Sequence, residues 1–475
     1  MKNQKNFYID GAWVAPSAPS DFDVINPSTE EVCATISLGS EADTNAAVAA
    51  ARASFDEWSQ TSKEERIALL KTLSEVYNDR AEEMAQAISL EMGAPQDLAR
   101  AQQVGAGSWH LGGFLKALES FEFDRMFTKT EATLYEPIGV CALITPWNWP
   151  MNQIVLKAIP ALATGCTAVL KPSEIAPLSG ILFADFIHEA GFPKGVFNMV
   201  NGDGPGVGSQ LSAHPEVDMV SFTGSSRAGK LISVAAAETL KRVSLELGGK
   251  GANIIFADAN EKAVSQGVVR CFRNTGQSCN APTRMLVEAS RYEQAVEQAI
   301  EMANKTVVGP ASEEGKHIGP LVSAAQFEKV QGLIQQGIDE GARLVAGGVG
   351  RPENLNRGYY CRPTVFADVT PDMEIYKQEI FGPVLSIMPF EDEAHAIELA
   401  NDTPYGLTNY IQTEDQEKRR RVARRVRSGM VETNGSGFAQ GSPFGGYKQS
   451  GNGREGGVFG LEEFLEVKAV SAWDS

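Results

Sequence analysis

Cys279 ends the run FRNTGQSC and is followed by Asn280, Ala281 and Pro282, so its thiol sits among polar turn residues rather than inside an apolar strand or helix. An accessible thiol can act as a nucleophile, and a nucleophile needs a base. The five histidines, at 110, 188, 214, 317 and 395, lie in helical or loop contexts unsuited to that partnership, which argues against a Cys/His hydrolase. A carboxylate is the better candidate. Glu246 stands in LELGGK at the end of an expected sheet strand, where alternation turns it away from Leu245 and Leu247. A charged group at the carboxyl end of such a strand faces the crevice where α/β sheets bind ligands, although a solvated edge glutamate would look the same. Asn148, in TPWNWP, offers a short amide donor for an oxyanion, with the backbone amide of Cys279 as the second donor.

The other five cysteines, Cys33, Cys141, Cys166, Cys271 and Cys361, read as ordinary core residues. They form no CxxC pair and have no histidine at ligand spacing, so neither a disulfide framework nor a metal site is expected.

A dinucleotide signal is present in a modest form. GxGxxG is absent, since NGDGPGVG at 201–208 has Val207 where the last glycine is needed. Phe222, Thr223, Gly224, Ser225 and then Gly229 follow a strand and open a helix, an arrangement that brings a pyrophosphate to a helix N-terminus. Lys171 and Glu174, in LKPSE after another strand, suit an adenosine ribose, and the carboxylate repels a 2′-phosphate, which leans toward NAD over NADP.

These groups need a scaffold. In the first third, read as helical, Ser62 with Glu65 forms a capping box ahead of Ile67, Leu70, Leu73, Val76 and Tyr77 at the helical period. From Tyr135 the pattern changes to short β-branched runs at 140–144, 167–171, 196–200, 217–223 and 242–247, separated by helical segments. Strand and helix in alternation predict an α/β fold with a doubly wound parallel sheet. A second such series runs from 253 to near Asn434, with Gly248, Gly249 and Gly251 as the boundary. Residues 114–137 read as extended (Phe121, Phe123, Met126, Thr130, Thr133, Tyr135), and so does Phe464 to Trp473; together they are expected to form a small β arm for oligomerisation. The expected organisation is therefore 1–115 with 138–247 as a Rossmann-like dinucleotide domain, 248–445 as a catalytic thiol domain, and 116–137 with 461–475 as the arm.

A length of 475 residues requires at least two domains. The 42 Lys and Arg against 60 Asp and Glu give a net charge of −18, which disfavours nucleic acid and anionic membranes and directs attention to a small molecule. The start, MKNQKNFYIDG, has no apolar signal run, and no later stretch is long enough to span a bilayer, so a cytoplasmic protein is expected.

PWNWP, LKPSE, FTGS, LELGGK, FRNTGQSC, EIFGP and SPFGGYKQSG occur in the order and approximate spacing of the aldehyde dehydrogenase superfamily, and through nearly the whole chain the sequence resembles its hydrolytic, non-acylating branch. The resemblance implies that Cys279 attacks the aldehyde, that Asn148 steadies the oxyanion, and that Glu246 activates water to hydrolyse the thioester left after hydride transfer. It implies dinucleotide contacts at Ile144, Thr145, Pro146, Trp147, Lys171, Ser173, Glu174, Gly204, Gly208, Phe222, Gly224, Ser225, Leu247, Glu379 and Phe381, with Lys171 counted in the catalytic set as well. Glu379 resembles the carboxylate that holds the nicotinamide ribose, and Lys157 with Glu455 resembles a proton relay. A homodimer or homotetramer using NAD, with NADP as the alternative, is the expected form.

The same resemblance lines a substrate tunnel with Trp149, Gln153, Leu156, Arg273, Ser436, Phe438 and Phe444, whose aromatics suit an apolar substrate body. Arg273 has two readings: a surface or interdomain arginine, or the captor of a remote carboxylate, as in succinate semialdehyde dehydrogenases. Leu156 stands where those enzymes tend to carry a second arginine. Two rival classes share these features, a catalytically silent protein on the same fold and a Cys-dependent thioesterase or acyltransferase. The complete set of Cys279, Asn148 and Glu246 opposes the first, and the dinucleotide positions oppose the second.

Overall fold

The computed structural model describes residues 3–474; Met1, Lys2 and Ser475, at the outer ends of the expected first domain and arm, lie outside the described residues. The chain opens on strands. β1 (Phe7–Ile9) pairs antiparallel with β2 (Ala12–Val14), and β3 (Asp21–Asn26) with β4 (Glu31–Ser37), which corrects the reading of the first third as helical. Helices Glu41–Ser59, Lys63–Asp79, Ala81–Met92 and Gly105–Ser120 follow. Ser62 and Glu65 close the capping box at the second of them, and Leu70, Leu73, Val76 and Tyr77 are buried.

The helix running to Ser120 also corrects the reading of 114–120 as extended. Only β5 (Asp124–Met126) and β6 (Ala132–Pro137) are strands in that stretch, and they join β19 (Leu465–Val470) in a three-stranded antiparallel sheet. Phe127 at its tip is 77% exposed, and Met126 and Val467 are also exposed.

β7 (Val140–Ile144), β8 (Thr167–Lys171), β9 (Phe197–Met199), β10 (Met219–Thr223) and β11 (Arg242–Glu246) form the parallel part of a seven-stranded sheet ordered β11-β10-β7-β8-β9-β1-β2. β1 meets β9 antiparallel, so the sheet is mixed at that edge. β7, β8 and β10 are buried at every position, as expected of strands covered on both faces. The chain runs β7 to β8 to β9 in one direction and β10 to β11 in the other. The topological switch therefore lies between β7 and β10, whose carboxyl ends open a ligand crevice.

After Glu246 the chain leaves this sheet and at Ala252 enters a second one. Its members are β12 (Ala252–Ile255), β13 (Arg284–Glu288), β14 (Arg343–Ala346), β15 (Thr364–Ala367), β16 (Val384–Phe390), β17 (Thr408–Gln412) and β18 (Met430–Thr433), ordered β14-β15-β16-β13-β12-β17-β18, all parallel except β14. Separate apolar cores underlie the two sheets.

Candidate active site

The thiol of Cys279 lies where two cavities meet. One, of about 230 Å³, is lined by Pro146, Trp147 and Asn148 from the end of β7, by Thr223, Gly224 and Ser225 from the end of β10, and by Leu247, Gly248, Glu379 and Phe381. The other, of about 200 Å³, is lined by Trp149, Gln153, Leu156, Arg273 and Phe444 among others. Cys279 borders both. Burial, reinforced by the nearby Glu379, Glu246 and Glu455 carboxylates, pushes its thiol well above the ordinary cysteine value, so a base must help to form the thiolate.

Asn148 Nδ2 donates to the Gln277 carbonyl at 3.1 Å. The indole of Trp149 donates to Ser278 Oγ at 2.8 Å, fixing the residue before the nucleophile. Gly249 packs on the Cys279 carbonyl, where a side chain would collide. Glu246 lines neither cavity. Its side chain is buried against Gly445, and both carboxylate oxygens lack a hydrogen-bond partner among the described residues. Burial, with Glu455 adding to it, holds its carboxyl well above the usual range, against the opposing Lys157 and Arg454 charges. Lys157 and Glu455 form a buried ion pair at 2.5 Å, with Glu455 Oε2 left without a hydrogen-bond partner among the described residues.

The expected dinucleotide residues follow the carboxyl ends of β7, β8, β9, β10 and β11 in the first sheet, and Glu379 and Phe381 come from the chain ahead of β16 in the second. Ser225 caps helix Ser226–Ala237 by accepting from the Ala228 amide at 3.3 Å, and that N-terminus faces the first cavity. Phe222 and Leu247 are buried supports, Phe222 behind Gly224 and Leu247 against Gly229. Ile144 and Thr145 end β7, and the Thr145 amide donates to the Lys171 carbonyl. Lys171, Ser173, Glu174, Gly204 and Gly208 do not line the cavity at Cys279. The Lys171 ammonium donates to the Gly202 carbonyl at 2.6 Å and pairs with Glu174 at 3.5 Å, at the end of β8. Glu379 accepts from the Gly249 amide at 2.9 Å, and a side chain at Gly248 would strike its carboxylate. Phe381, held in a left-handed conformation (φ +60°), meets Trp147 edge to face at 5.4 Å. The donor set fits a dinucleotide: a helix N-terminus, a carboxylate beside the thiol, and in the cavity wall the buried Thr223 hydroxyl, which has no hydrogen-bond partner among the described residues.

A model of the aldehyde dehydrogenase family matches residues 13–470. The chain belongs to the aldehyde dehydrogenase family. It is 52% identical to 3-succinoylsemialdehyde-pyridine dehydrogenase of a Pseudomonas species, over the whole of both chains. It is similar to the crystal structure of an aldehyde dehydrogenase from Bartonella henselae, at 58% identity, full coverage of both chains and a TM-score of 0.99. It is also similar to a variant of aldehyde dehydrogenase C from Pseudomonas syringae complexed with NAD+ and octanal, at 50% identity, 99% and 97% coverage and a TM-score of 0.98.

Within this aldehyde dehydrogenase the second cavity carries more polar groups than the sequence signalled. Arg273 opens into it and into an outer cavity beside Asn434 and Gly435, so its guanidinium stands at a mouth, with no ion pair or side-chain hydrogen bond among the described residues. Its neighbour Arg270 is held by Glu432 at 2.5 Å and lies over the Tyr410 ring. His110 donates or accepts at 2.9 Å with Asn152, and burial pulls its imidazole down to about 4. Phe438 and Ser436, expected in the tunnel, are exposed and line neither cavity at the thiol. Sequence reasoning missed Arg270, His110, Asn152 and Asn280 in the second cavity, and Gln326 and Lys329 in the first. The one available signal was the i, i+3 spacing of Arg270 and Arg273. Among the described residues no helix is long and apolar enough to cross a membrane, and no group of three or more potential metal ligands gathers.

Proposed function

We propose that this aldehyde dehydrogenase oxidises an aldehyde to its carboxylic acid with NAD through a thioester on Cys279. The observation that carries the reading is the position of that thiol at the junction of two cavities, one on the cofactor side and one reaching outward. Residues of the β10, β7 and β8 ends would hold the dinucleotide, with Ser225 at the pyrophosphate, Glu379 at the nicotinamide ribose and Glu174 at the adenosine ribose. When bound, the cofactor supplies a hydride acceptor beside the thiol. The chain's own residues do the rest. Cys279 adds to the aldehyde carbon, Asn148 and the Cys279 amide hold the oxyanion, and Glu246 takes a proton from the water that hydrolyses the thioester. Solved relatives in complex with NAD+, among them an aldehyde dehydrogenase of Bacillus cereus, support the choice of cofactor. The test is absorbance at the reduced-nicotinamide band with an aldehyde panel and both cofactors. NAD is expected to give the higher specificity constant, because Glu174 opposes a 2′-phosphate. Equal constants would defeat that choice, and no signal with any aldehyde would defeat the activity.

For the substrate, we infer a preference for an aldehyde with a second oxygen-bearing group that Arg273 can reach. A relative named for a semialdehyde supports this, whereas the octanal complex of another relative supports an apolar body. The free guanidinium supports the first, since a charge-assisted hydrogen bond to a remote carboxylate contributes about 1.5–3 kcal/mol, roughly tenfold to a hundredfold in specificity constant. Because Arg273 sits at an open mouth and Leu156 offers no second charge, the preference should weaken with salt. Succinate semialdehyde and an uncharged aldehyde of equal length, compared in the parent and in Arg273→Met, check it. No preference in the parent, or its survival in the variant, would return the search to apolar and aromatic aldehydes that fit Trp149 and Phe444.

A further inference from the structure

Three consecutive residues ahead of the nucleophile have left-handed backbones: Asn274 (φ +52°), Thr275 (φ +57°) and Gly276 (φ +71°). Glycine adopts this conformation freely and asparagine tolerates it, but for a β-branched threonine it is costly and persists only where the surroundings enforce it. The Thr275 hydroxyl donates to the Gly319 carbonyl at 3.0 Å. Asn274 Nδ2 donates to the Asn148 carbonyl at 2.9 Å and to the Gln277 carbonyl at 3.2 Å, the same carbonyl that receives the Asn148 side chain. Nucleophile turn and oxyanion amide are therefore one hydrogen-bonded assembly.

One member of that assembly comes from elsewhere in the chain. Gln103 is fully buried on the segment Ala99–Val104, a π-helical turn ahead of helix Gly105–Ser120. Its Nε2 donates to the Asn148 carbonyl at 3.1 Å and to Asn274 Oδ1 at 3.3 Å. Met92 Sδ lies at 3.7 Å as a third, weak acceptor, and all three neighbours of that nitrogen accept, which fixes the orientation of the amide. π-Helical turns are rare and recur at functional sites, because the extra residue re-aims a side chain. Gln103 borders neither cavity at the thiol.

We propose that Gln103 is a positioning residue for the reaction. By bonding Asn148 and Asn274 together, it fixes the separation between the oxyanion donor and the nucleophile turn. The inference rests on the thioester reading of Cys279.

Gln103→Met keeps the length and burial of the side chain and removes its donor, and it should slow the first turnover of reduced cofactor. A displacement on the order of 1 Å costs up to about a hundredfold, so a fall of roughly tenfold to a hundredfold is expected in kcat, with KM for the aldehyde and dinucleotide affinity changed less than about threefold. Gln103→Glu supplies a second readout. Its carboxyl retains one O–H donor while protonated and loses it on ionising, so its activity relative to the parent should be higher at low pH and fall as pH rises. A Met variant whose kcat stays within about twofold of the parent, or a Glu variant whose relative activity does not change with pH, overturns the inference. Should the parent itself oxidise no aldehyde, it is the thioester reading that fails.

Discussion

Cys279→Ala is expected to abolish aldehyde oxidation, by roughly a thousandfold or more in kcat, while leaving dinucleotide affinity nearly unchanged. The asymmetry follows from the architecture. Most candidate cofactor contacts follow strand ends of the first sheet, with Glu379 and Phe381 added from the second, whereas the thiol hangs from a turn of the second, at the border of the two cavities. Removing one sulfur leaves the helix N-terminus at Ser225 and the Lys171–Glu174 pair untouched. Steady-state absorbance at the reduced-nicotinamide band measures the first quantity and a fluorescence titration with NAD the second. Appreciable oxidation by the purified variant would sink the thioester mechanism.

Glu246→Gln should fail in a different way. If Glu246 acts in deacylation, rapid mixing should show a first turnover of reduced cofactor followed by a steady state slower by roughly 10²–10⁴-fold. The pH dependence of the parent follows from the same carboxyl. A base works only when ionised, and burial together with Glu455 raises this group well above the ordinary carboxylate value. The parent's steady state should therefore fall as pH drops through that raised value, at a higher pH than an unperturbed glutamate near ~4.3 would give, and this limb should vanish in Glu246→Gln. A variant that lacks the burst as well as the slow phase would assign Glu246 to forming the thiolate. The carboxylate now lies against Gly445, outside both cavities, so hydrolysis requires it to turn toward the thiol.

How much of this was legible in the sequence depended on what each element touches. β7 and β8 are covered on both faces, so β7 reads as an unbroken apolar run and β8 keeps one from Ala168 to Leu170. β1 and β2 are only three residues each, too few for an alternation to show, and β3 and β4 mix exposed, half-buried and buried positions without a regular alternation. Helix Gly105–Ser120 carries Gly105, Gly107, Gly112 and Gly113, poor helix formers, and is held by packing on helix Pro150–Thr164 that no local pattern records. Among candidate site residues, Cys279 and Asn148 stood out from their own distinctive turns, whereas Glu379 came only with the family resemblance. Lys329 and Gln326 reach the first cavity from the side of an ordinary amphipathic helix, Ala324–Asp339, and so gave no signal. Phe438 was placed in the tunnel by the family resemblance alone, and it lies on an exposed stretch of chain, Asn434 to Gln440.

The small antiparallel sheet has a consequence for the order in which the molecule can be built. β6 finds its partner β19 only after more than three hundred further residues, with Glu136 meeting Lys468 across a separation of 332 positions. Lys157, fully buried, waits almost as long for Glu455, 298 positions downstream. During synthesis β6 therefore exists for an interval with one edge open, and the interior ammonium of Lys157 without its counter-ion, and contacts of such long sequence separation close slowly. β19 thus acts as a latch: a ribosome that stops a few residues before it releases a molecule that holds every group near Cys279 and yet leaves the edge of β6 unpaired.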